Sequence, residues 1–389
     1  MKQRRVEAMA LATLACFTAG TAVAQTADEA KDQATGNAPA ASADDGWPDA
    51  SGFLNEKYGF LPLLFPITEP AVGYGAMAGV AFISKPFGAA RDGLGRPNLT
   101  FVGGLATENG SWGVMAADMR HWLDDRIQTL IGVVYADVNL DFHGLGQNSV
   151  LEFNPLRYEL GPKGGGLQAR YRLGDTLAWA GLRYVFAATS VSFDPSADAA
   201  QLPAYDSSST VGGLTALVSY DSRDTIFTPS RGTYLEASFG VFGKALGGDE
   251  AFQRAVVLGI QYFKLPYHLY LGMRGDASAS IGDAPFYLNP FISLRGVPIM
   301  RYQGEEIAQA EVELRWQFYK RFSLVGFAGG GGAWNDFENL DNAQGVVSGG
   351  GGVRYELARE FGLHVGLDAA FSRDTAAVYL QVGSAWMRP

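Results

Sequence analysis

Residues 309–318 read Gln-Ala-Glu-Val-Glu-Leu-Arg-Trp-Gln-Phe, a stretch in which polar and apolar residues alternate without interruption. Because successive side chains of a β-strand point to opposite faces, one face of this segment is polar and the other is apolar. The same alternation recurs at 232–243, 267–279 and 361–371. A soluble sandwich would turn such apolar faces inward, whereas a barrel in a bilayer turns them toward lipid. The recurrence favours an all-β fold, namely a transmembrane antiparallel β-barrel.

The N-terminus has the features of an export signal. Basic residues lie at positions 2, 4 and 5, an apolar stretch follows at 8–23, and an A-x-A cleavage motif ends at Ala24. We therefore predict a cleavable signal peptide over residues 1–24 and a location in the outer membrane of a Gram-negative cell. A lipoprotein signal around Cys16 is the alternative, which is disfavoured because the apolar stretch continues beyond that residue.

Composition excludes several classes of function. Cys16 is the only cysteine, so a chain cleaved after residue 24 has no thiol, no disulfide and no Cys-ligated metal. Cleavage removes three basic residues and one acidic residue, which moves the formal net charge from −10 to −12. This acidic balance argues against a nucleic-acid partner. No motif predicts a cofactor, and the four histidines show no spacing typical of metal ligands.

The chain divides into three parts. After the predicted signal peptide, residues 25–51 are rich in Ala, Asp, Gln and Gly and predict a disordered periplasmic leader. Residues 52–389 form one continuous β domain in which fifteen strands are recognisable. Since both ends of such a barrel lie on one side of the membrane, we expect sixteen strands. The missing strand lies near 53–66, or it results from a split of the segment 158–173.

The final strand is predicted to span 375–386 and to close on an aromatic residue. An aromatic residue that ends a last alternating strand is similar to the recognition signal of outer-membrane barrels. The residues that would carry this signal are Tyr379, Gly383 and Trp386.

Two further motifs stand in a fixed order along the chain. The first is a polar turn between two strands, and the second is an Arg-Gly motif inside the long loop 281–304. In the turn we expect Asp221 and Asp224 to bond the guanidinium of Arg223 and nearby backbone groups. We do not expect a metal site or a catalytic cluster there. The turn motif comprises Asp221, Arg223, Asp224, Pro229 and Gly232, and the loop motif comprises Leu294, Arg295 and Gly296.

These motifs and the final strand together resemble the BamA/TamA superfamily, also called the bacterial surface-antigen family. The resemblance covers residues 210–386 well and 69–209 only in rhythm. It implies a sixteen-stranded barrel whose long loop folds into the lumen, and a role in inserting or translocating proteins. Relatives usually carry periplasmic POTRA domains, and a leader of this length is too short for one POTRA repeat. We therefore expect a barrel without POTRA domains, with outer-membrane lipid, a separate periplasmic partner or a client protein as its partners.

The sequence departs from the family pattern at two places. Val297 and Pro298 follow the Arg-Gly motif where an aromatic residue is usual, and Gly329 stands where the family carries an aspartate that receives the loop arginine. If the loop folds inward, Arg295 therefore needs another carboxylate on a lumen-facing position. The candidates for this anchoring role are Glu311, Glu313 and Asp368, with Glu313 preferred.

The sequence leaves three functions open. Assembly or transport of outer-membrane protein or lipid is the first. A porin-like passive diffusion channel, narrowed by the loop 281–304, is the alternative. An outer-membrane lipid hydrolase would need a nucleophile, a histidine and an orienting group, and no Gly-x-Ser-x-Gly motif or comparable arrangement is present. We therefore expect that the chain is not an enzyme.

Overall fold

Sixteen strands follow one another around a single antiparallel sheet in chain order. The computed structural model describes residues 45–56, 58–85, 97–145, 151, 155–193, 206–335 and 343–387. One α-helix, α1 (Ser51–Glu56), precedes the sheet in these residues. The strands are β1 (Gly59–Glu69), β2 (Gly73–Lys85), β3 (Asn98–Thr107), β4 (Trp112–Trp122), β5 (Ile127–Phe142), β6 (Leu156–Arg172), β7 (Ala178–Phe193), β8 (Asp206–Asp221), β9 (Gly232–Phe242), β10 (Phe252–Leu265), β11 (Leu269–Gly282), β12 (Glu306–Tyr319), β13 (Phe322–Trp334), β14 (Gln344–Ala358), β15 (Leu363–Ser372) and β16 (Ala376–Val382).

The predicted alternation sets the two faces of the barrel wall. On β12 the side chains of Leu314 and Trp316 lie outside and are exposed, whereas Glu311 and Arg315 lie on the inner face and are buried. An apolar outer face solvated by lipid and a polar inner face explain how strands with this sequence form a barrel. The predicted all-β fold is therefore confirmed. No helix of the described residues is long and apolar enough to cross a membrane.

The expected sixteen strands are confirmed, and the strand that the sequence left open is β1. It occupies Gly59–Glu69, so the first of the two alternatives is correct, and 158–173 belongs to the single strand β6. Pro62 and Pro66 obscured β1 in the sequence because proline lacks the N–H that a ladder needs. Both fit here because β1 lies at the end of the sheet.

The final strand is shorter than predicted, so the boundary 375–386 is wrong. β16 ends at Val382, and Gly383 adopts a left-handed backbone (φ +75°) that turns the chain away from the sheet. The N–H of Gly383 donates to the carbonyl oxygen of His364 at 2.7 Å. Trp386 therefore lies beyond the strand and is buried inside the barrel.

The N-terminal residues of the described chain attach to one end of the barrel. Arg321, in the turn between β12 and β13, is fully buried and pairs with Asp45 at 2.8 Å and with Asp49 at 2.9 Å. Leu54 of α1 packs against Phe361. Most of the predicted leader and the whole predicted signal peptide lie outside the described residues, whereas residues 45–51 contact the barrel.

The two ends of the barrel differ in the length of their connections. The end that carries α1 and the C-terminus has mostly short turns, such as 123–126, 266–268 and 320–321, with longer connections at 86–97 and 222–231. The other end has some short turns but also the longest loop, 283–305. Short turns face the periplasm in bacterial outer-membrane barrels. We therefore infer that α1 lies at the periplasmic end and that the long loops begin at the extracellular end.

The sheet has one weak seam. β1 lies beside β16, but among the described residues the strand pairing runs only from β1 to β2 and onward to β16, without a ladder that closes the ring. β1 pairs with β2 without a register shift, and Pro62 and Pro66, four residues apart, point the same way. Alternate residues of β1 bond to β2, and a proline at one of those positions would interrupt the ladder. Because the ladder to β2 is regular, Pro62 and Pro66 occupy the other positions, whose nitrogens point toward β16. Two donors are thus missing from the edge that would close the barrel.

Candidate functional site

The loop between β11 and β12 folds back into the lumen as a narrow hairpin. Its two arms are joined by hydrogen bonds from Ile292 N–H to Tyr302 O (2.9 Å) and from Gly304 N–H to Pro290 O (3.1 Å). Ile292 and Tyr302 are fully buried, and with Leu294 they pack on the inner face of β12–β14. Apolar burial thus holds the arms of the loop and leaves its polar tip to find partners deeper in the barrel.

One tyrosine fixes the outer part of the loop. The hydroxyl of Tyr302 donates to Asp374 Oδ2 at 2.5 Å, and Arg373 Nε donates to the Tyr302 hydroxyl at 2.6 Å. Burial raises the pKa of Tyr302 to about 12, and the neighbouring carboxylate of Asp374 acts in the same direction. The hydroxyl therefore stays protonated and remains a donor to Asp374 at any physiological pH.

The tip of the loop places Arg295 among three carboxylates. Arg295 Nε donates to Glu311 Oε1 at 2.7 Å, and Nη1 lies 2.7 Å from Glu313 Oε2 and 2.9 Å from Asp368 Oδ2. The arginine side chain is only 8 % exposed. All three acids that the sequence offered as candidates thus meet the guanidinium. The preferred Glu313 forms an ion pair with Arg295, while Glu311 makes the closest hydrogen bond.

Neighbouring side chains complete the surroundings of Arg295. Its guanidinium carbon lies 3.6 Å from the ring centre of Phe327, a stacking geometry that suits a planar cation. Asp368 is shared with Arg354, whose Nη2 donates to Oδ2 at 2.7 Å. Two arginines therefore face three acids in a group that is screened from bulk solvent. Removal of one member leaves buried charge without compensation.

Gly296 is required by the close approach of the loop tip to the wall. It adopts φ +83°, and a Cβ at this position would lie 3.0 Å from the backbone nitrogen of Phe371 and 3.1 Å from Ala370. Its N–H donates to the hydroxyl of Tyr379 on β16 at 3.1 Å. Only glycine combines this backbone conformation with so short a distance to β15.

The two departures from the family pattern have a physical explanation. Val297 is buried in the same apolar cluster as Leu294, so an aliphatic residue fills the place of the usual aromatic one. A Cβ at Gly329 would lie 3.1 Å from Glu311 Cγ and 3.1 Å from Leu294 Cδ2. An aspartate at 329 would therefore compete for space with the acid and the leucine that β12 and the loop supply.

The model of the Omp85 superfamily domain matches residues 152–371, which is more than half of the chain. The chain belongs to the Omp85 superfamily. No curated protein matches the sequence.

Solved structures with the same fold include barrels of two kinds. BamA from Haemophilus ducreyi lacking POTRA domains 1–3 is 12% identical with a TM-score of 0.57, covering 84% of this chain and 70% of that chain. CdiB from Escherichia coli is 12% identical with a TM-score of 0.56, and the match covers 84% of this chain and 62% of CdiB. CdiB from Acinetobacter baumannii is 7% identical with a TM-score of 0.54, and the match covers 83% of this chain and 59% of CdiB. This Omp85 barrel thus shares their fold and spans about three fifths to seven tenths of their length.

The turn motif of this Omp85 barrel is a compact, buried ion pair. Arg223 Nε donates to Asp221 Oδ1 at 2.8 Å, and both side chains are buried. Asp224 Oδ1 accepts from the N–H of Ser230 at 2.9 Å, as a turn-forming carboxylate does. Gly232 adopts φ +104°, where a Cβ would lie 2.3 Å from the Ser222 carbonyl oxygen. Pro229 is buried in the same turn.

This turn does not stay beside its own strands but reaches across the periplasmic end of the barrel. Thr225 Oγ1 donates to Phe361 O at 2.6 Å, and the N–H of Ser384 donates to Phe227 O at 2.6 Å. The turn therefore links β8 and β9 to the β14–β15 connection and to the C-terminal segment, which are distant in the sheet order. The turn motif therefore packs across this end of the barrel.

The residues of the predicted terminal signal belong to the loop site instead of to the outer wall. Tyr379 faces the lumen and bonds Gly296, while Trp386 Nε1 donates to Glu311 Oε2 at 3.0 Å. Gly383 supplies the turn that carries Trp386 inward. Whether these residues also act as a recognition signal during assembly stays a prediction.

Sequence reasoning missed Arg354 and the inward position of Trp386. Arg354 could have been found, because the alternation on β14 places it on the lumen face opposite β15. The position of Trp386 could not, because it depends on how the residues after β16 fold back into the barrel.

Proposed function

We propose that this Omp85 barrel assembles or transports an outer-membrane client, either a protein or a lipid, through the seam between β1 and β16. The observation that carries the proposal is that the ring of strands is not closed by a ladder at this seam, while neighbouring strands are paired everywhere else. A client that enters sideways does not need an open axial pore. A location in the outer membrane is part of the same proposal.

The contents of the lumen support a lateral route. The loop hairpin crosses the lumen to reach β15 and β16, and the Ile299 N–H donates to Glu69 Oε1 on β1 at 3.0 Å. The loop therefore contacts both strands that border the seam. A client that displaces these contacts would open the seam and be guided by the loop at the same time.

The inner wall next to the seam is apolar. Side chains that face the lumen on β1–β5 form one cluster with little polar character, an arrangement unlike the watery lumen of a diffusion channel. Acyl chains or the lipid-facing side of a client strand would find favourable contact there. The members of this cluster include Leu61, Leu63, Met77, Ala81, Phe101, Met115 and Val134.

A passive channel is the second candidate, because charged pairs line another part of the lumen. Arg170 pairs with Glu236, and Arg274 pairs with Asp276. Such residues would attract water and ions if the loop moved aside.

Two expectations from the sequence stay predictions. The first is that the chain is not an enzyme, and the second is that it works with a separate periplasmic partner.

A cysteine lock across the seam separates the two candidates. One cysteine replaces Leu64 on β1, and a second replaces Val378, Leu380 or Val382 on β16 in turn. The locked and reduced proteins are reconstituted in vesicles. Three activities are measured: insertion of urea-unfolded copies of this same chain, transbilayer movement of a fluorescent phospholipid, and conductance in planar bilayers.

The proposal predicts that oxidation abolishes insertion or lipid movement and that reduction restores it. A control pair between β6 and β7, Leu167→Cys with Tyr184→Cys, joins strands that are already paired and should leave activity unchanged. A steady conductance that oxidation does not alter, together with no stimulated insertion or lipid movement, would replace the proposal with the channel.

A further inference from the structure

The outer face of β4 carries an ion pair where lipid-facing strands normally carry apolar residues. Trp112, Val114 and Trp122 are exposed on the outside of β4, whereas Met115 and His121 are buried on its inside. The even-numbered positions therefore face outward. Two of these positions, between Val114 and Trp122, are Asp118 and Arg120.

The ion pair is part of a polar cluster that spans three strands. Arg120 Nε donates to Asp118 Oδ2 at 2.9 Å, and Nη2 donates to Thr100 Oγ1 of β3 at 2.9 Å. Arg120 Nη1 donates to Ser84 Oγ of β2, and Thr100 Oγ1 donates to Asp118 Oδ1 at 2.6 Å. We call Ser84, Thr100, Asp118 and Arg120 the outer notch.

The outer notch interrupts the apolar band around the barrel. On β12 every outward position from Ala308 to Phe318 is apolar, which corresponds to roughly 25 Å of membrane depth for a tilted strand. On β4 the outward apolar run from Trp112 ends at Ala116, a depth of about 10 Å. A charged side chain on the outer face is unfavourable where it meets hydrocarbon. The notch therefore calls for a polar ligand.

Among the described residues, both members of the ion pair keep unused hydrogen-bonding capacity. A guanidinium has five N–H donors, and the contacts within the notch leave one N–H of Nη1 without an assigned acceptor. Asp118 Oδ2 accepts only from Arg120 Nε in these contacts. The side chains of Arg120 and Asp118 are 27 % and 34 % exposed, so a ligand on the lipid side can reach both.

We propose that the outer notch binds the zwitterionic aminoethyl-phosphate headgroup of a phospholipid from the periplasmic leaflet. The phosphate would accept from Arg120 Nη1, and the primary ammonium would donate to Asp118 Oδ2. Because the pair carries no net charge, it matches a headgroup that carries both signs, whereas an anionic headgroup would meet the carboxylate. The notch lies nearer to Trp122, at the periplasmic end of β4, than to Trp112, which assigns the lipid to that leaflet.

The first test is native mass spectrometry of the folded barrel taken from bilayers that contain one of three lipids with identical acyl chains. These are phosphatidylethanolamine, phosphatidylcholine, which has no N–H donor, and phosphatidylglycerol, which is anionic. The parent protein should retain phosphatidylethanolamine best and phosphatidylglycerol least. Asp118→Leu/Arg120→Leu should lower retention of phosphatidylethanolamine by about tenfold, the effect of about 1.4 kcal/mol of binding energy.

Two further variants make the result specific. Val114→Leu/Ala116→Leu changes the same outer strand without touching the notch and should retain phosphatidylethanolamine as the parent does. Asp118→Asn/Arg120→Gln keeps the polarity and removes both charges, so it should fold even if the leucine variant does not, and it should lose the lipid. Equal retention in the parent and in either notch variant would overturn the proposal. Preference for phosphatidylglycerol, or a co-purifying protein protected by the notch, would overturn it as well.

Discussion

Two regions of the lumen wall, which we call the fixed half (β12–β15) and the exchangeable half (β1–β5), differ in chemistry and in how firmly they are held. On β12, β14 and β15 the inner face carries buried charged residues, and Arg295 ties the loop to acids on two of these strands. On β1–β5 the inner face is apolar, and it borders the unpaired edge of β1. Directional ion pairs fix one arrangement, whereas apolar contacts can be exchanged for those of a client. The comparison indicates a fixed half that holds the loop and an exchangeable half beside the seam.

The largest expected effect comes from removing the cation of the fixed half. Arg295→Ala leaves Glu311, Glu313 and Asp368 buried with less compensation, which should cost about 3–5 kcal/mol of barrel stability. The variant should unfold at lower urea, and external protease should cut the loop 283–305. Arg295→Lys should recover only part of the loss, because an ammonium cannot reproduce the planar set of contacts.

Arg170→Ala is the matched control, since Arg170 forms a lumen pair with Glu236 away from the loop. It should also destabilise the barrel but leave the loop resistant to protease. Equal loop cleavage in both variants would show that the loop responds to general loosening and that the fixed half does not depend on Arg295.

A charge placed on the exchangeable half tests whether that half is apolar in solution. Met115 is buried on the inner face of β4. Met115→Glu should therefore cost about 2–4 kcal/mol, because the carboxylate is removed from water without a partner. Ser238→Glu, on the inner face of β9, should cost much less. Similar urea midpoints for the two variants would mean that water fills the lumen uniformly, and the distinction between the halves would fail.

These predictions depend on features that the sequence revealed unequally. Alternation predicted fifteen of the sixteen strands and the acids that reach Arg295, because side-chain direction in a strand follows from position alone. β1 was nearly missed because its two prolines conceal a strand. The inward path of Trp386 and the contacts of residues 45–51 arise where the chain leaves the sheet, and there no periodicity constrains it.

The missing donors of the seam can be restored. Pro62→Thr/Pro66→Thr supplies two N–H groups on the β1 edge, each worth about 1 kcal/mol when bonded. Each lost proline also makes the unfolded chain more flexible, which lowers the free energy of unfolding by about 0.4–1 kcal/mol. The two effects nearly cancel, so global stability should change little. Amide hydrogen exchange on β16 should nevertheless slow by about fivefold or more. Unchanged exchange would indicate that the prolines do not keep the seam open.

The smallest effect concerns the attachment of the N-terminal residues to the fixed half. The hydrogen bond from Arg321 lowers the pKa of Asp45 from its usual 3.8 to about 2. The contribution of this pair is therefore complete above about pH 4 and is lost as the pH falls through about 2. Trp47 packs edge-on against Phe322, so the emission of Trp47, measured as the difference between the parent and Trp47→Phe, should change over this interval. Asp45→Asn should remove the transition, and a transition that persists would assign it to another group.

The most direct test of the anchored loop is a double-mutant cycle between Arg295 and Glu311. Arg295→Ala, Glu311→Gln and the double variant are compared with the parent by urea unfolding of the folded barrel in vesicles. If the loop tip is held by this ion pair inside the lumen, the two changes should be non-additive by at least about 1 kcal/mol. Additivity within about 0.3–0.5 kcal/mol, with a loop that protease cuts readily in the parent protein, would contradict the account.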